Sequence, residues 1–223
     1  MDDERTHEGA SDGTGPVAEP IPSRERVLEA AARVFAEEGL DAPMPAVAAA
    51  AGVGVGTIYR AFGSKEELIA SLAADRIEWF GREAQAAVEA PDAWQALVDL
   101  FERTAERQAT DHIVTEALAS TFNHPRVVEA KQMSAIATRE LMARAKEHGR
   151  LRPDFEPADL QMLFAALGAA QHTTPRGSRA WTRIFTVMID GLSTEGASEM
   201  KDASLTPEEM AQASDERRDR RGH

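Results

Sequence analysis

The sequence predicts an all-α fold, with a three-helix N-terminal head and a larger helical C-terminal body. Three observations carry that reading. Ala, Leu, Arg and Glu are abundant while β-branched residues form no runs, which favours helix over strand throughout. Apolar residues recur at three- and four-residue spacing in one segment after another. Two of the shortest segments meet at Gly52-Val53-Gly54, a Gly-containing junction of the length found between the helices of a helix-turn-helix.

Composition narrows the classes further. The 223 residues are 43% hydrophobic, which is ample for a core. There is no cysteine, so disulfides and thiolate metal sites are excluded. No apolar run reaches ~18 residues and no apolar stretch follows a basic start, so a soluble, unexported, cytoplasmic protein is expected. The formal net charge is −13. Residues 1–22 carry −5 of it and residues 23–70 carry −2. Much of the excess therefore sits in a tail able to swing away, and any nucleic-acid binding by the head rests on a few well-placed cations.

Residues 1–22 are acidic, rich in Gly, Pro, Ser and Thr, and are expected to be disordered. Ser23 then reads as the cap of a first helix, with Val27, Leu28, Ala31, Val34 and Phe35 on its buried side and Gly39 at its end. Pro43 and Pro45 mark a second start, where a missing N–H costs nothing. Its apolar stripe is Val47, Ala48 and Ala51. After the glycine junction, Ile58 and Phe62 hold the inner side of a helix over 55–62, leaving Val55, Thr57 and Arg60 on the outer side. Ser64 and Glu67 fit a capping box opening a long helix that runs to about Glu89 and links the head (residues 23–70) to the body (residues 71–195).

In the body, Pro91-Asp92 opens a helix with Trp94, Leu97, Val98 and Phe101 on one side. A shorter apolar segment, Ile113 to Phe122, follows. Pro125 to about His148 reads as a long amphipathic helix, and Gly149 to Asp154 as a turn. Pro157 opens a helix rich in small residues, and a last one carries Trp181 to Leu192. Beyond residue 195 the chain is polar and is expected to be a flexible tail.

A helix-turn-helix exists mainly to place its second helix in a major groove. Residues 23–70 resemble the tetracycline-repressor (TetR) family of bacterial regulators. The resemblance rests on Ala30-Ala31, Phe35, Gly39, Val47-Ala48, Ala51-Gly52-Val53, Gly56-Thr57-Ile58-Tyr59, Phe62 and Ser64-Lys65-Glu66-Glu67-Leu68. The rest of the chain matches in layout alone. The resemblance implies that residues 55–62 enter the groove. Val55 and Thr57 would offer methyls to thymine, beside Gly56, and Arg60 would pair with guanine or grip a phosphate. Tyr59 would contact phosphate, and Lys65 would add a cation at a helix N-terminus. Arg24 and Arg26 are weaker phosphate candidates. Three positions depart from the family pattern: Gly54 stands where Ser or Thr usually caps, Ala61 where an aromatic or His is usual, and Pro43 and Pro45 flank the next cap. By resemblance the protein is a homodimeric repressor of a palindromic DNA operator, released by a small-molecule effector and needing no cofactor.

The body offers two sets of candidates. Trp94, Phe101, His112, Phe122, Met133, Met162 and His172 are pocket candidates for that effector, the histidines as polar groups in a cavity; the aromatic and Met residues are most simply core, with a minority left to line a pocket. Phe164, Leu167, Gly168, Trp181, Ile184, Phe185, Met188 and Leu192 are dimer candidates, able to build a four-helix bundle with a second copy. Packing of the same stripes within one subunit is the alternative. The histidines show no metal-ligand spacing, and the glycines at 52, 54 and 56 read G-x-G-x-G with no preceding strand, which is not a dinucleotide loop. No spacing suggests a catalytic constellation. The net acidity and missing caps keep open a helical scaffold that has lost DNA binding.

Overall fold

A computed structural model describes residues 24–110, 117, 123–175, 178–206, 208, 209, 212, 213 and 216. Among them run α1 (Arg24–Glu38), α2 (Met44–Ala51), α3 (Val55–Phe62), α4 (Lys65–Val88), α5 (Ala93–Thr110), α6 (Pro125–Glu147), α7 (Pro157–His172) and α8 (Trp181–Leu192). The predicted acidic tail and most of the segment 113–122 lie outside the described residues; Ala117 alone of that segment is placed, helical and buried.

The head closes on Phe35, Val47, Ile58 and Leu68, all fully buried, with Val27, Leu28, Phe62 and Leu72 around them. Short α2 and α3 could not hold a helical shape alone, and burial of these aliphatic side chains supplies what propensity does not. A second core in the body joins Ala84 and Val88 of α4, Leu97, Leu100 and Phe101 of α5, Leu141 and Met142 of α6, and Leu160 and Leu192 of the last two helices. Helix α4 contributes to both cores, and between them Ala70 and Ala73 pack against Val127 of α6 and Ala117.

Ser64 caps α4 as expected, its Oγ accepting from the Glu67 amide at 3.1 Å. The reciprocal half of the capping box is replaced. The Glu67 carboxylate is drawn to the body, to His124 Nε2 at 3.2 Å and Arg126 Nε at 3.8 Å. His124 is in turn the cap of α6, its Nδ1 accepting from the Arg126 amide at 3.3 Å. An accepting Nδ1 leaves Nε2 as the donor toward Glu67. Farther along, α4 and α6 touch at Gly81. A Cβ there would fall 2.7 Å from the Ser134 Cβ and 2.9 Å from its Cα, so only a residue without a side chain permits this approach.

The polar tail is held closer than its composition suggests. Leu151 and Ser193 form an antiparallel bridge. Arg152, buried beneath it, binds both oxygens of Asp154 at 2.6 and 2.9 Å and the Gly191 and Ser198 carbonyls. The Met200 amide donates to Asp154, and the Ser204 hydroxyl to Asp159. The chain is thus fastened to the α6–α7 turn as far as residue 204, past the expected boundary at 195. The Arg152 guanidinium and the Met200 amide hold the Asp154 carboxyl well below the usual carboxylate range.

Two outcomes are expected from this packing. Gly81→Ala should destabilise by about 1–3 kcal/mol despite the better helix propensity of Ala, because the added methyl overpacks the α4–α6 contact; an unchanged or raised melting temperature would show that contact to be loose. Asp154→Asn should lower the melting temperature at neutral pH. A depressed carboxyl stabilises above its unfolded pKa and loses that contribution as pH falls through the folded one, so the difference should begin to fade below about pH 4. A gap that stays constant into strong acid would rule out the ion pair as its source.

Candidate nucleic-acid interface

The junction between α2 and α3 follows from two glycines. Gly52 takes φ 69°, a left-handed cap that only glycine adopts without strain, and its N–H closes α2. The chain then turns back through the Val53 amide on the Ala48 carbonyl at 2.9 Å. Gly54 is extended, φ −71° and ψ 144°, and supplies no side-chain cap to α3. The Thr57 amide instead reaches the Gly54 carbonyl at 2.8 Å.

Ile58 and Phe62 anchor α3 in the head core. Around the other side Gly56, Arg60 and Ala61 are exposed, and Tyr59 is 46% exposed, which for a lone tyrosine ring is a large apolar investment in solvent. Thr57 is half-buried. Val55 does not stand clear as expected: it is half-buried and leans on the head core, because it begins the helix right where the turn returns the chain to α2. Arg60 lies back along its own helix, Nε 3.3 Å from the Gly56 carbonyl and Nη2 3.4 Å from Thr57 Oγ1. These bonds are long and solvent-exposed, so the guanidinium can exchange them for a stronger anionic or base acceptor.

The head's other cations are partly committed to structure. Arg24 stacks 5.1 Å from the centre of the Phe62 ring and donates to Ser71 Oγ at 2.8 Å, pinning α1 to α3 and α4. The Lys65 ammonium lies 5.9 Å from the Phe35 ring centre. Lys65 opens α4, where backbone N–H groups point toward an incoming anion. The neighbouring Glu67 is turned away from that end by His124 and Arg126. Sequence reasoning did not find this pairing, since His124 and Glu67 are 57 positions apart and nothing local links them.

The first helices and the body both match known families. Residues 27–72 match the model described as bacterial regulatory proteins of the tetR family, and residues 92–194 match the SbtR-like transcriptional regulator C-terminal domain. The chain belongs to the TetR family. It is 27% identical over 158 residues to the transcriptional repressor KstR2 of Mycolicibacterium smegmatis, covering 66% of this chain and 76% of that one. It is also 27% identical over 155 residues to the regulator UidR of Escherichia coli, covering 67% and 79%. Among solved structures, a TetR regulator of Streptomyces coelicolor superposes with a TM-score of 0.59 at 27% identity, over 76% of this chain and 98% of that one. A TetR regulatory protein of Mycobacterium vanbaalenii gives 0.55 at 29% identity, over 77% and 95%. This TetR chain is accordingly a DNA-binding transcriptional regulator, and its relatives are regulators rather than enzymes. No described helix is long and apolar enough to cross a membrane.

In the body of this TetR protein, the structure redistributes the pocket candidates. Phe101 lines an apolar groove between α5, α7 and α8, together with Leu160, Leu163, Phe164, Leu167, Phe185 and Met188. Trp94 does not: it is buried in the body core, with the Arg150 guanidinium 5.9 Å from its ring. Met133 is 68% exposed on the outer side of α6 and Met162 is exposed on α7, because both fall on the stripe opposite the one that packs inward. His112 and Phe122, and the side chain of His172, lie outside the described residues.

The dimer candidates divide by burial within the subunit. Leu167, Gly168, Trp181 and Leu192 are buried within the subunit, and Phe164, Phe185 and Met188 are half-buried at the groove. Only Ile184 is exposed. The unpartnered apolar face lies one stripe over: Met162, Ala165, Ala166 and Ala169 on α7, with Ile184, Val187 and Gly191 on α8. Val187, 70% exposed, is its most prominent side chain.

Arg60→Ala and Tyr59→Phe should each weaken operator binding about tenfold or more while leaving the melting temperature nearly unchanged, as measured by fluorescence anisotropy and thermal unfolding. A marked loss of stability in either would mean that the side chain packs inward.

Proposed function

We propose that the protein is a cytoplasmic, ligand-released repressor that binds a palindromic operator as a homodimer. One observation carries the DNA half of this reading. Helix α3 is locked into the head by Ile58 and Phe62 while its Tyr59–Arg60 edge is left exposed and without a strong partner. Tyr59 would rest against the phosphate backbone, Arg60 and Thr57 would meet base edges, and the start of α4 with Lys65 would take a flanking phosphate.

The exposed stripes of α7 and α8 support the homodimer. Their spacing, 162/165/166/169 and 184/187/191, is that of continuous helical faces, and Ala and Gly let two such pairs approach closely as a four-helix bundle. A two-fold dimer would then offer two α3 helices to half-sites one helical turn or a multiple apart. Release would follow from the two α4–α6 ties. A ligand that moved α6 would pull on the Gly81–Ser134 contact and the Glu67–His124 pair, tilting α4 and changing the separation of the heads.

The direct test is binding of the purified protein to promoter fragments flanking its own gene. A salt-dependent, saturable shift on a palindromic fragment is expected, and equal weak binding to unrelated DNA would remove the repressor reading. Val187→Glu should convert the dimer to monomers in sedimentation and weaken operator binding with it. A dimer that survives this change would place the interface elsewhere.

A further inference from the structure

One carboxylate in the head has two places to go. Glu67 stands three residues after Ser64, and a capping box returns the carboxylate at that position to the amide of the cap residue. The chain completes such boxes elsewhere. At the start of α7 the Asp159 carboxylate accepts from the Glu156 amide at 2.8 Å. Farther on, Glu209 accepts from the Thr206 amide at 2.8 Å while its own amide donates to Thr206 Oγ1 at 3.2 Å. At α4 only the first half is made, the Glu67 amide donating to Ser64 Oγ at 3.1 Å. The Glu67 carboxylate is held instead by His124 Nε2 at 3.2 Å and Arg126 Nε at 3.8 Å.

Two features set the α4 start apart from the other two. It adjoins the recognition helix, with only Gly63 and Ser64 between Phe62 and Lys65. Its rival partners also come from the body. The His124 side chain is 13% exposed against 47% for Arg126, so the imidazole is the less hydrated and stronger hold. His124 caps α6 through Nδ1, so it moves with that helix. While it holds Glu67, the amides opening α4 and the adjacent Lys65 are spared that negative charge. Glu66 is exposed, and its charge is common to both arrangements.

We propose that Glu67 is a carboxylate switch for DNA binding and that His124 is its positioning residue. Held by His124, Glu67 leaves the opening of α4 to a DNA phosphate. When α6 moves away, Glu67 closes the capping box on the Ser64 amide, and its charge opposes a phosphate at the same helix end. The carboxylate has partners in either position, so the exchange costs little and the two arrangements are discrete. The inference rests on the ligand-released reading above. To the change in head spacing it adds a local, electrostatic cause of release.

Two variants of one ion pair separate a switch from a mere tie. If the pair only fastens α4 to α6, removing either partner weakens operator binding alike. In a switch the two removals act in opposite directions. His124→Asn keeps a capping acceptor for α6 but gives up the reach to Glu67, and should bind operator about tenfold more weakly by fluorescence anisotropy. Glu67→Ala should bind at least as tightly as wild type. The double variant Glu67→Ala/His124→Asn should follow Glu67→Ala, because no carboxylate is left to close the box. Equal weakening in both single variants, wild-type binding by His124→Asn, or a double variant as weak as His124→Asn would each overturn the proposal. The Ser64 amide gives a readout without DNA, by NMR of serine-labelled full-length protein. Its exchange with water should slow about fivefold in His124→Asn as the box closes, and unchanged exchange would also overturn the switch. Slowed exchange in a protein whose wild type binds no operator would sink the repressor reading alone.

Discussion

The constraint on which the rest depends is that one helix serves two cores. The N-terminal end of α4 buries Leu68 and Leu72 in the head, and its C-terminal end buries Ala84 and Val88 in the body. An α-helix bends little over this length, so neither end can be re-aimed without disturbing the other. Contacts with α6 then set the direction of α4. Small residues make those contacts, Ala70 and Ala73 against Val127 and Gly81 against Ser134, and small residues leave the least room for sliding. The Glu67–His124 pair ties the same two helices near the opening of α4, a few residues from the recognition helix.

This arrangement gives an acidic protein a way to present a DNA-reading edge. The net charge of −13 forbids reliance on a broad positive field. Instead the head spends Arg24 on packing α1 against Phe62, and draws Glu67 toward the body. The edge we propose for DNA is short: Tyr59, Arg60, Thr57 and the opening of α4 with Lys65. Few contacts per head mean modest affinity per head. In the dimer proposed here, binding of the first head would hold the second near its half-site, so that two weak contacts act as one strong one. Head spacing would then matter more than the chemistry of any one contact, and in that dimer α4 would set the spacing.

Much of this was legible in the sequence, for reasons that also explain what was not. Helix limits followed from Pro43, Gly52, Ser64, Pro125 and Pro157, whose backbone effects are local. The inner side of α3 followed from Ile58 and Phe62, because a short helix on a small core has one way to bury a four-residue spacing. In α7 and α8 two apolar stripes run side by side, and periodicity does not say which one faces inward. The bulkier residues, Leu167, Trp181 and Leu192, went to the subunit core, while Ala165, Ala166 and Ala169, which carry little hydrophobic signal, were left outside with Met162 and Val187. Long-range polar pairs were invisible for a different reason. Arg152 reaches Ser198, Glu67 reaches His124 and Gln171 reaches Ala105, and no local pattern encodes such partners.

The chain's lack of cysteine offers a direct measurement of head spacing. A single spin label at Glu37→Cys, exposed near the end of α1, places one probe on each head of a dimer. Pulsed electron resonance should then give one defined distance that narrows when operator DNA is added, as both heads settle into grooves one helical turn or a multiple apart. Absence of any coupling between labels, or a broad distribution that operator DNA leaves unchanged, would contradict the account in which α4 carries a spaced pair of recognition helices.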